Sequence, residues 1–527
     1  MTALDDIVER FVDVMAYLRT PIGLHRYNDH VFIPTPANAR KLFRDFRFIE
    51  LSLDNLKEDE LSWYDKLKVD EMRRMIRSTR TEVEWDIVDP VYPVQAIADA
   101  AQEILDYPFM QDSEKVRLLT VRLNHSHALF EACLMHAQRL SKLHIRLALE
   151  QGKAVVDFMR GVPSEFKEML GRKELVDASE EAAEVLAQYL KCIESKMQTA
   201  PDQLPPKRHQ LERMLQELWA LDVSVADLKR VGEEQLELWS KRMLEYARQI
   251  DPKATDWKSV WQKIKTYNPS SEDEIVDDHR KLLENVRQAL KAIDVVDLPS
   301  GESVATSATP KWRRTFATGA SCSSDDMYGG RVTSRLNVTP RTAGVTGPMA
   351  PPSPVLLAHE CYAGHHVHAI NIGQYASMPF KMRTQIRVPV SEGWAMLAEE
   401  FLKDKFTPRE MMQLCMSVIA RAVRIIVDVG LNTGEMTYDQ AVDFYEKTMG
   451  VRATNEVNGT LLTPGYKSTY LFGKVSLERL REEIRMQLGH RFDVKWFNNL
   501  IVRAGTMSLS GIGTYVRKHA EMRKNLA

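Results

Sequence analysis

The chain reads His359-Glu360-Cys361-Tyr362-Ala363-Gly364-His365-His366 and, further on, Ser391-Glu392-Gly393-Trp394-Ala395. The first stretch places three histidines around a glutamate suited to act as a base. The second supplies another glutamate where a further metal ligand is expected. Two histidines, one carboxylate and an open coordination position are the ligand set of catalytic zinc sites. The two stretches therefore predict a single Zn2+ ion that activates water.

Helix geometry restricts which histidines can share the ion. In a regular helix, histidines at i and i+4 lie about 40° apart on one face, but Ala363 occupies that place after His359. His365 would lie at about 240°, and His366 about 10.5 Å along the axis. A break at Ala363-Gly364 resolves this, since glycine relieves the backbone cost. Two looped-out residues bring His365 to the ion, which we favour, and three bring His366.

The spacing also assigns roles to the two glutamates. Glu360 neighbours His359 and should point at metal-bound water rather than at the metal, as a general base does. Glu392 follows His365 by 27 residues, which leaves room for one helix to finish and a second to begin. The second helix is expected to begin near Ser391, with this serine as its N-cap.

Composition excludes several classes of protein. The chain has 527 residues and a formal net charge of −2, so it lacks the basic surface that nucleic-acid binding requires. No apolar run approaches the ~20 residues of a membrane span, and the acidic, amphipathic N-terminus does not resemble a secretory signal. Five scattered cysteines favour a reducing compartment, so we expect a cytoplasmic protein. Cys361 is a soft alternative metal ligand, although its neighbours suggest a packed helix position.

Helical patterning dominates the chain. Apolar residues recur at three-to-four-residue spacing among Glu, Lys, Gln and Ala, which is typical of amphipathic helices whose stripes pack in a core. The helix that carries His359 is expected to start at Ser353 or Pro354. The clearest predicted helices are Glu181–Met197, Lys207–Ala220, Glu234–Ile250, His279–Ile293 and Arg409–Val429.

One segment, residues 297–354, has a different composition. Gly, Ser, Thr and Pro replace the long helix formers there. Within it, Arg331–Thr339 has β-branched residues and rough alternation after a Gly-Gly turn, which predicts a strand and is compatible with a hairpin. The shift separates an N-terminal helical region, 1–296, from a metal-binding catalytic region, 297–527. We expect the two to pack as one unit.

Further motifs follow in order. They are Arg421-Ala-Val-Arg424-Ile-Ile-Val-Asp428-Val-Gly-Leu431, Pro464-Gly-Tyr466-Lys-Ser-Thr-Tyr470-Leu-Phe-Gly473-Lys474 and Leu488-Gly489-x-x-Phe492-Asp493. With the two opening stretches, they resemble the large domain-of-unknown-function family whose signature is His-Glu-x-x-Pro-Gly-His-His followed by Glu-Gly-Trp-Ala. That family is similar to the gluzincin peptidases, including the thimet-oligopeptidase and carboxypeptidase Taq families.

The resemblance implies a mostly α, metallopeptidase-like fold with a deep cleft and a small β-sheet at the cleft edge. Arg331–Thr339 would be the edge strand that pairs with an extended substrate. The implied ligands and base are those of the motif: His359, His365 or His366, Glu392, and Glu360 as the base.

The resemblance implies further site residues. Asp428 would orient a ligand histidine, and Tyr470, with Tyr466 as its competitor, would stabilise an oxyanion. One of Arg421 and Arg424 would face the substrate. Each has a structural alternative: a surface carboxylate for Asp428, packing for the tyrosines, and a solvated or structural role for the arginines.

Three positions depart from the family pattern. Ala363 replaces the motif's proline, Asn432 stands where a histidine is usual, and Gly459-Thr460 stands where Arg-Tyr is common. A missing arginine removes a guanidinium that could bind a substrate carboxylate through two parallel hydrogen bonds. A missing histidine removes a donor near the reacting carbonyl. The metal should survive these changes, whereas ordinary peptide hydrolysis is put in doubt.

These observations predict a zinc-dependent hydrolase that cleaves amide bonds of small peptides or peptide-like metabolites. The departures motivate an alternative, a specialised metal-dependent enzyme of small-molecule metabolism that performs another hydrolysis, an elimination or a carbon–carbon cleavage. A non-catalytic binding protein with a vestigial site is a third. Glu360 argues against it, because a structural metal needs no base and usually has four protein ligands. Oligomeric state is not visible in the sequence.

Overall fold

Amphipathic helices make up most of the molecule, and the predicted mostly α class is confirmed. The computed structural model describes residues 2–18, 24–166, 171–264, 267–310, 314, 319–324, 326–340 and 351–525. The chain forms two units. One comprises Met1–Asp65, Thr79–Pro205 and Pro310–Phe316, and the other comprises Lys66–Ser78, Pro206–Thr309 and Ala317–Ala527.

The first unit is built from helices with one buried face each. In its second helix, for example, Thr35 caps the N-terminus by accepting a hydrogen bond from Asn38 N, and Pro36 occupies the first turn. The helices that begin before Pro206 are α1 (Ala3–Leu18), α2 (Pro36–Asp54), α3 (Trp63–Val88), α4 (Tyr92–Asp106), α5 (Asp112–Leu123), α6 (Ser126–His136), α7 (Lys142–Gly161) and α8 (Arg172–Glu194).

The second unit contains residues 66–78 of α3, the remaining elements and all of the predicted site residues. Its helices before the sheet are α9 (Arg208–Arg213), α10 (Val225–Ile250), α11 (Trp257–Ile264) and α12 (Glu272–Ile293). Its strands are β1 (Ser303–Ala308), β2 (Ala320–Ser324) and β3 (Thr333–Val338). Its later helices are α13 (Pro354–Glu360), α14 (His365–Tyr375), α15 (Val388–Ala398), α16 (Pro408–Thr433), α17 (Tyr438–Met449), α18 (Thr454–Leu462), α19 (Tyr466–Leu488), α20 (Val494–Arg503) and α21 (Leu509–Asn525).

The five helices predicted from apolar spacing are all present, as α8, α9, α10, α12 and α16. One differs in kind. The segment Lys207–Ala220 begins as α9 but continues as a π-helical turn, Met214–Leu218. Apolar spacing does not distinguish such a turn from an α-helix, because a single π-helical turn is a short insertion within an otherwise helical segment.

The sheet has the order β1-β3-β2, with β1 parallel and β2 antiparallel to β3. The predicted strand at Arg331–Thr339 is therefore confirmed as β3, and β2 with β3 forms a hairpin. The prediction that this strand lies at the edge of the sheet is wrong, because β3 is the central strand and pairs with a neighbour on both sides. Among the residues that the structure describes, β1 and β2 each pair with a strand on one side only.

The expected boundary at residue 296 does not coincide with the division into units. Helices α10 and α12 precede that boundary but belong to the second unit. Helix α10 packs tightly on α16, and a Cβ placed on Gly232 would lie 2.9 Å from Ile425 Cγ2. This packing joins segments almost 200 residues apart, so a change in local composition does not reveal it.

Two glycines bring α15 and α19 into backbone contact. A Cβ on Gly393 would lie 2.4 Å from the carbonyl carbon of Gly473, and a Cβ on Gly473 would lie 1.9 Å from Pro389 O. Real side chains do not approach so closely, so both positions require glycine. The helix that carries Glu392 is thereby held directly against the helix that carries Tyr470.

Candidate metal centre

The break between α13 and α14 places the first two histidines. Helix α13 starts at Pro354, one of the two predicted positions, and ends at Glu360; Ser353 caps it by accepting a hydrogen bond from Leu356 N. A Cβ on Gly364 would lie 1.7 Å from His359 O. Gly364 is therefore required because the chain turns back onto the carbonyl of His359. Helix α14 then starts at His365.

The third predicted ligand lies on α15, which begins earlier than expected. Ser391 was predicted to cap this helix, but α15 starts at Val388, with Pro389 in its first turn and Ser391 buried inside. The prediction was wrong because proline at a first-turn position is itself a strong start signal. Trp394, the tryptophan of the same motif, is fully buried and donates from Nε1 to Ala363 O at 2.8 Å. It thereby fixes the loop between α13 and α14.

The structure brings His359, His365 and Glu392 together. Glu392 Oε2 lies 3.6 Å from His359 Nε2 and 3.5 Å from His365 Nε2. One donor atom from each residue lies within 4.8 Å of the other two. Bonds of ~2.1 Å at tetrahedral angles place two ligand atoms about 3.4 Å apart, so these distances suit a single small cation.

A hydrogen-bond test supports the same fit. Glu392 Oε2 is buried and has no hydrogen-bond partner among the described residues. A buried carboxylate oxygen without a partner is costly unless a cation occupies the place. The side chains of His359, Glu392 and His365 are 5%, 16% and 22% exposed, respectively. The centre therefore opens to solvent on the His365 side, as a catalytic site with a free coordination position requires.

The pKa values of His359 and Glu392 also indicate that positive charge is favourable at the centre. Burial alone would lower the pKa of His359, but its contacts with Glu392 and Glu399 raise it to about 9. Burial alone would raise the pKa of Glu392, but His365 and His359 hold it well below its ordinary value. The carboxylate of Glu392 is thus ionised, and its partner is either a protonated imidazole or a metal cation.

The alternative ligands named from the sequence lie elsewhere. His366 is almost fully buried, with Nδ1 2.7 Å from Ser334 Oγ and Nε2 3.3 Å from Glu302 Oε2. It belongs to a hydrogen-bonded group beneath the sheet and not to the metal centre. Cys361 is fully buried and its thiol contacts that of Cys322. Burial raises the pKa of Cys361 well above its ordinary value, so the thiol is protonated.

Glu399 contacts the candidate ligand His359 and was not predicted. Its Oε1 lies 2.8 Å from His359 Nδ1, and its Oε2 accepts a hydrogen bond from Ser417 Oγ at 2.6 Å. Arg421 donates to Ser417 and lies 3.9 Å from Glu399 Oε1. A signal was present in the sequence: Glu399 follows Glu392 by seven residues, about two helical turns, so both carboxylates face the same side.

Asp428 does not orient a histidine, and that expectation is wrong. Its Oδ1 accepts hydrogen bonds from Gly465 N and Asn432 Nδ2, and its Oδ2 accepts one from Ser468 Oγ. Nor is it a surface carboxylate, because it is fully buried. Burial raises its pKa to about 6 although these hydrogen bonds lower it. Asp428 instead holds the start of α19, and Asn432, one of the departures from the family pattern, is part of that arrangement.

Glu360, the predicted base, contacts the sheet. Its Oε2 accepts a hydrogen bond from Cys322 N at 3.0 Å. An amide of β2 that donates to Glu360 does not donate to β3, so Glu360 lies along the open side of β2. The position of the strand beside the base was not predicted.

The two predicted tyrosines lie together. Tyr466 and Tyr470 share a hydrogen bond between their hydroxyl groups at 2.8 Å. Burial, together with the nearby charge of Glu392, raises the pKa of both phenols. Arg424 lies 5.6 Å from the ring centre of Tyr470 and makes a two-point ion pair with Glu456 at 2.8 and 2.9 Å. Arg424 therefore lies beside the ring of Tyr470, and Glu456 already neutralises the charge of its guanidinium.

Solved structures share the fold. "The crystal structure of the putative lipoprotein from Colwellia psychrerythraea" matches with a TM-score of 0.83 and 17% sequence identity, over 99% of this chain and 100% of that chain. A putative lipoprotein of unknown function from Shewanella oneidensis matches with a TM-score of 0.74 and 16% identity, over 97% of this chain and 99% of that chain. At these identities the likeness shows a common fold.

These neighbours correct the cytoplasmic location expected from the sequence. Both of these neighbours are described as a "putative lipoprotein", and lipoproteins are anchored to membranes. The expectation rested largely on cysteine usage, and all five cysteines are indeed unpaired. Unpaired cysteines do not identify a compartment, because a large core can be stable without disulfides anywhere. Within the described ranges, no helix combines the length and apolarity that crossing a bilayer requires.

Family membership follows from the sequence comparison. No curated protein matches the chain. The model of a family described as "Bacterial protein of unknown function (DUF885)" matches residues 18–515. This range includes every residue of the metal centre and the hydrogen-bonded groups around it. The chain belongs to the DUF885 family of bacterial proteins of unknown function.

Proposed function

We propose that this protein is a zinc-dependent hydrolase that cleaves amide bonds of small peptides or peptide-like metabolites. The observation that carries the proposal is the arrangement of His359, His365 and Glu392 around one small volume, with Glu360 beside it. Two imidazoles and a carboxylate form the ligand set of catalytic zinc. The unpartnered Glu392 Oε2 supports a cation at that place.

The metal and the residues around it would have separate roles in amide hydrolysis. Zinc, when bound, supplies a Lewis acid that polarises a carbonyl and lowers the pKa of water toward ~7. Glu360 accepts a proton from the attacking water and passes it to the leaving nitrogen. The hydrogen bond from Cys322 engages Oε2 of Glu360. It holds the carboxylate in one orientation, and among the described residues no donor occupies Oε1, which is available for the proton.

Tyr466 and Tyr470 would act as donors to the developing oxyanion. Their raised pKa values keep both phenols protonated at neutral pH. The hydroxyl–hydroxyl hydrogen bond leaves one of the two protons available to a third group. A preorganised donor of this kind is worth about 10²–10³ in rate.

The open side of β2 supports a peptide-like substrate. Extended peptides bind by adding a strand to a free sheet edge. Because Glu360 lies along this side of β2, a backbone laid there would pass beside the base. The ligand set and the base next to the first histidine are features of gluzincin peptidases, so we propose a distant relationship to that group.

Metal analysis and one isosteric substitution test the proposal. Purified protein should contain one zinc per chain, and Glu360→Gln should keep the zinc while losing at least ~10²-fold of its activity on a mixed dipeptide library. Glu181→Gln is the matched control, since Glu181 is exposed on α8. Full activity of Glu360→Gln would refute the base. Protein that stays metal-free in excess zinc would refute the centre. A zinc-loaded protein that cuts no peptide would favour the small-molecule alternative.

A further inference from the structure

Arg387 lies next to the metal centre. It ends the short 3-10 turn Gln385–Arg387, immediately before α15, and is half-buried. Its electrostatic neighbours include Arg383, which also is half-buried, and the proposed ligand Glu392 and Tyr466. Two guanidinium groups therefore lie together within reach of the charges of the site.

Neither arginine has a carboxylate partner. Within the part of the chain that the structure describes, no Asp or Glu oxygen lies within 4 Å of the guanidinium of Arg383 or Arg387. Two other cations of this unit, Arg424 and Lys474, are paired with Glu456 and Glu400, respectively. Burial and the charge of Arg383 lower the pKa of Arg387 to about 10, so the Arg387 guanidinium is still a cation at neutral pH.

Three polar atoms around these arginines are buried and lack partners. They are Tyr328 Oη, His368 Nε2 and Thr384 Oγ1. Tyr328 interacts electrostatically with Arg383 and Arg387, and His368 interacts with Arg387. Thr384 adjoins Arg383 in the chain, and both His368 and Thr384 are only 4% exposed. Buried polar atoms normally have partners, so a local concentration of exceptions beside two unpaired cations indicates a ligand.

We infer that Arg383 and Arg387, with Tyr328, His368 and Thr384, bind a carboxylate group of the substrate beside the metal centre. A carboxylate accepts two parallel hydrogen bonds from one guanidinium and has lone pairs left for hydroxyl and imidazole donors. It also neutralises the unpaired charge, which is costly when left alone in a partly buried site.

This inference rests on the proposed function and narrows its substrate class. The substrate is an anionic amide, with a free carboxylate close to the bond that is cleaved. Either a peptide C-terminus or an acidic side chain supplies such a group. Both have the chemistry that the arginines recognise, and the experiment distinguishes them.

Binding measurements on an inactive background test the inference. Zinc-loaded Glu360→Gln is titrated by calorimetry with acetyl-Ala-Ala, its C-terminal amide, and acetyl-Glu-Ala amide. At least one of the two carboxylate-bearing peptides should bind roughly 10- to 100-fold more tightly than the uncharged amide, as expected for a charge-assisted hydrogen bond. Whichever it is identifies the source of the carboxylate.

Substitutions locate the effect. Adding Arg387→Gln should abolish the preference, Arg387→Lys should retain part of it, and Arg479→Gln, an exposed arginine on α19, should leave it unchanged. Arg383→Gln serves as a second variant if Arg387→Gln fails to give the circular dichroism spectrum of the folded protein. Equal binding of all three peptides, or an unchanged preference in folded Arg387→Gln and Arg383→Gln, would overturn the inference. Because binding is measured without turnover, a protein that prefers carboxylates but hydrolyses nothing would refute the proposed function alone.

Discussion

Replacing Glu399 by glutamine should weaken zinc binding by about 10- to 100-fold, or roughly 1.4–2.7 kcal/mol. The substitution keeps the size of the side chain but removes the negative charge 2.8 Å from His359 Nδ1. A carboxylate in this position fixes the imidazole so that Nε2 faces the metal, and it increases the basicity of that nitrogen. Hydrogen bonds to a charged group are about twice as strong as neutral ones. Because Glu399 is almost fully buried, water does not screen the loss.

Chelator competition at fixed pH measures the change. The dissociation constant for zinc is obtained for the wild type, Glu399→Gln and a matched control, Asp428→Asn. Asp428 is an equally buried carboxylate of the same unit, but its hydrogen bonds go to the start of α19. The control should bind zinc as the wild type does. Equal affinity of Glu399→Gln and wild type, or an equal loss in both variants, would refute the assignment of Glu399 as the orienting carboxylate.

Two further predictions concern stability. Burial raises the pKa of Asp428 from 3.8 to about 6, so its contribution is full below pH ~4 and is lost as pH rises through 6. Relative to Asp428→Asn, the wild type should lose about 1–2 kcal/mol of unfolding free energy between pH 5 and 8 in urea titrations; a constant difference would contradict this. Gly473→Ala should destabilise by more than ~3 kcal/mol or prevent folding, since its Cβ would lie 1.9 Å from Pro389 O. Gly161→Ala, whose Cβ would meet no atom within 4 Å, should leave the melting temperature almost unchanged.

Features that depend on nearby residues could be predicted from the sequence. The start of α13 directly after Ser353, the break before His365 and the helices with regular apolar stripes all follow from local preferences. Packing adds a reason that the sequence does not show: a Cβ on Gly364 would collide with His359 O.

Features that depend on distant segments could not be predicted. The central place of β3 requires β1, which lies about 30 residues earlier and pairs in parallel. The partner of His359 was sought on α16, because the resemblance pointed to Asp428, but Glu399 at the end of α15 lies closer. Two carboxylates on different helices have the same local signature, and only packing decides which of them reaches the imidazole.

The glycine crossing of α15 and α19 has a consequence for engineering this scaffold. Because the backbones of the two helices are in direct contact at Gly393 and Gly473, the positions of Glu392 and Tyr470 are fixed relative to each other. A side chain introduced at Gly393 or Gly473 would push the two helices apart and displace both Glu392 and Tyr470. To change substrate specificity, substitutions are better made along the open side of β2 and at the turn that ends in Arg387, where they would not separate α15 from α19.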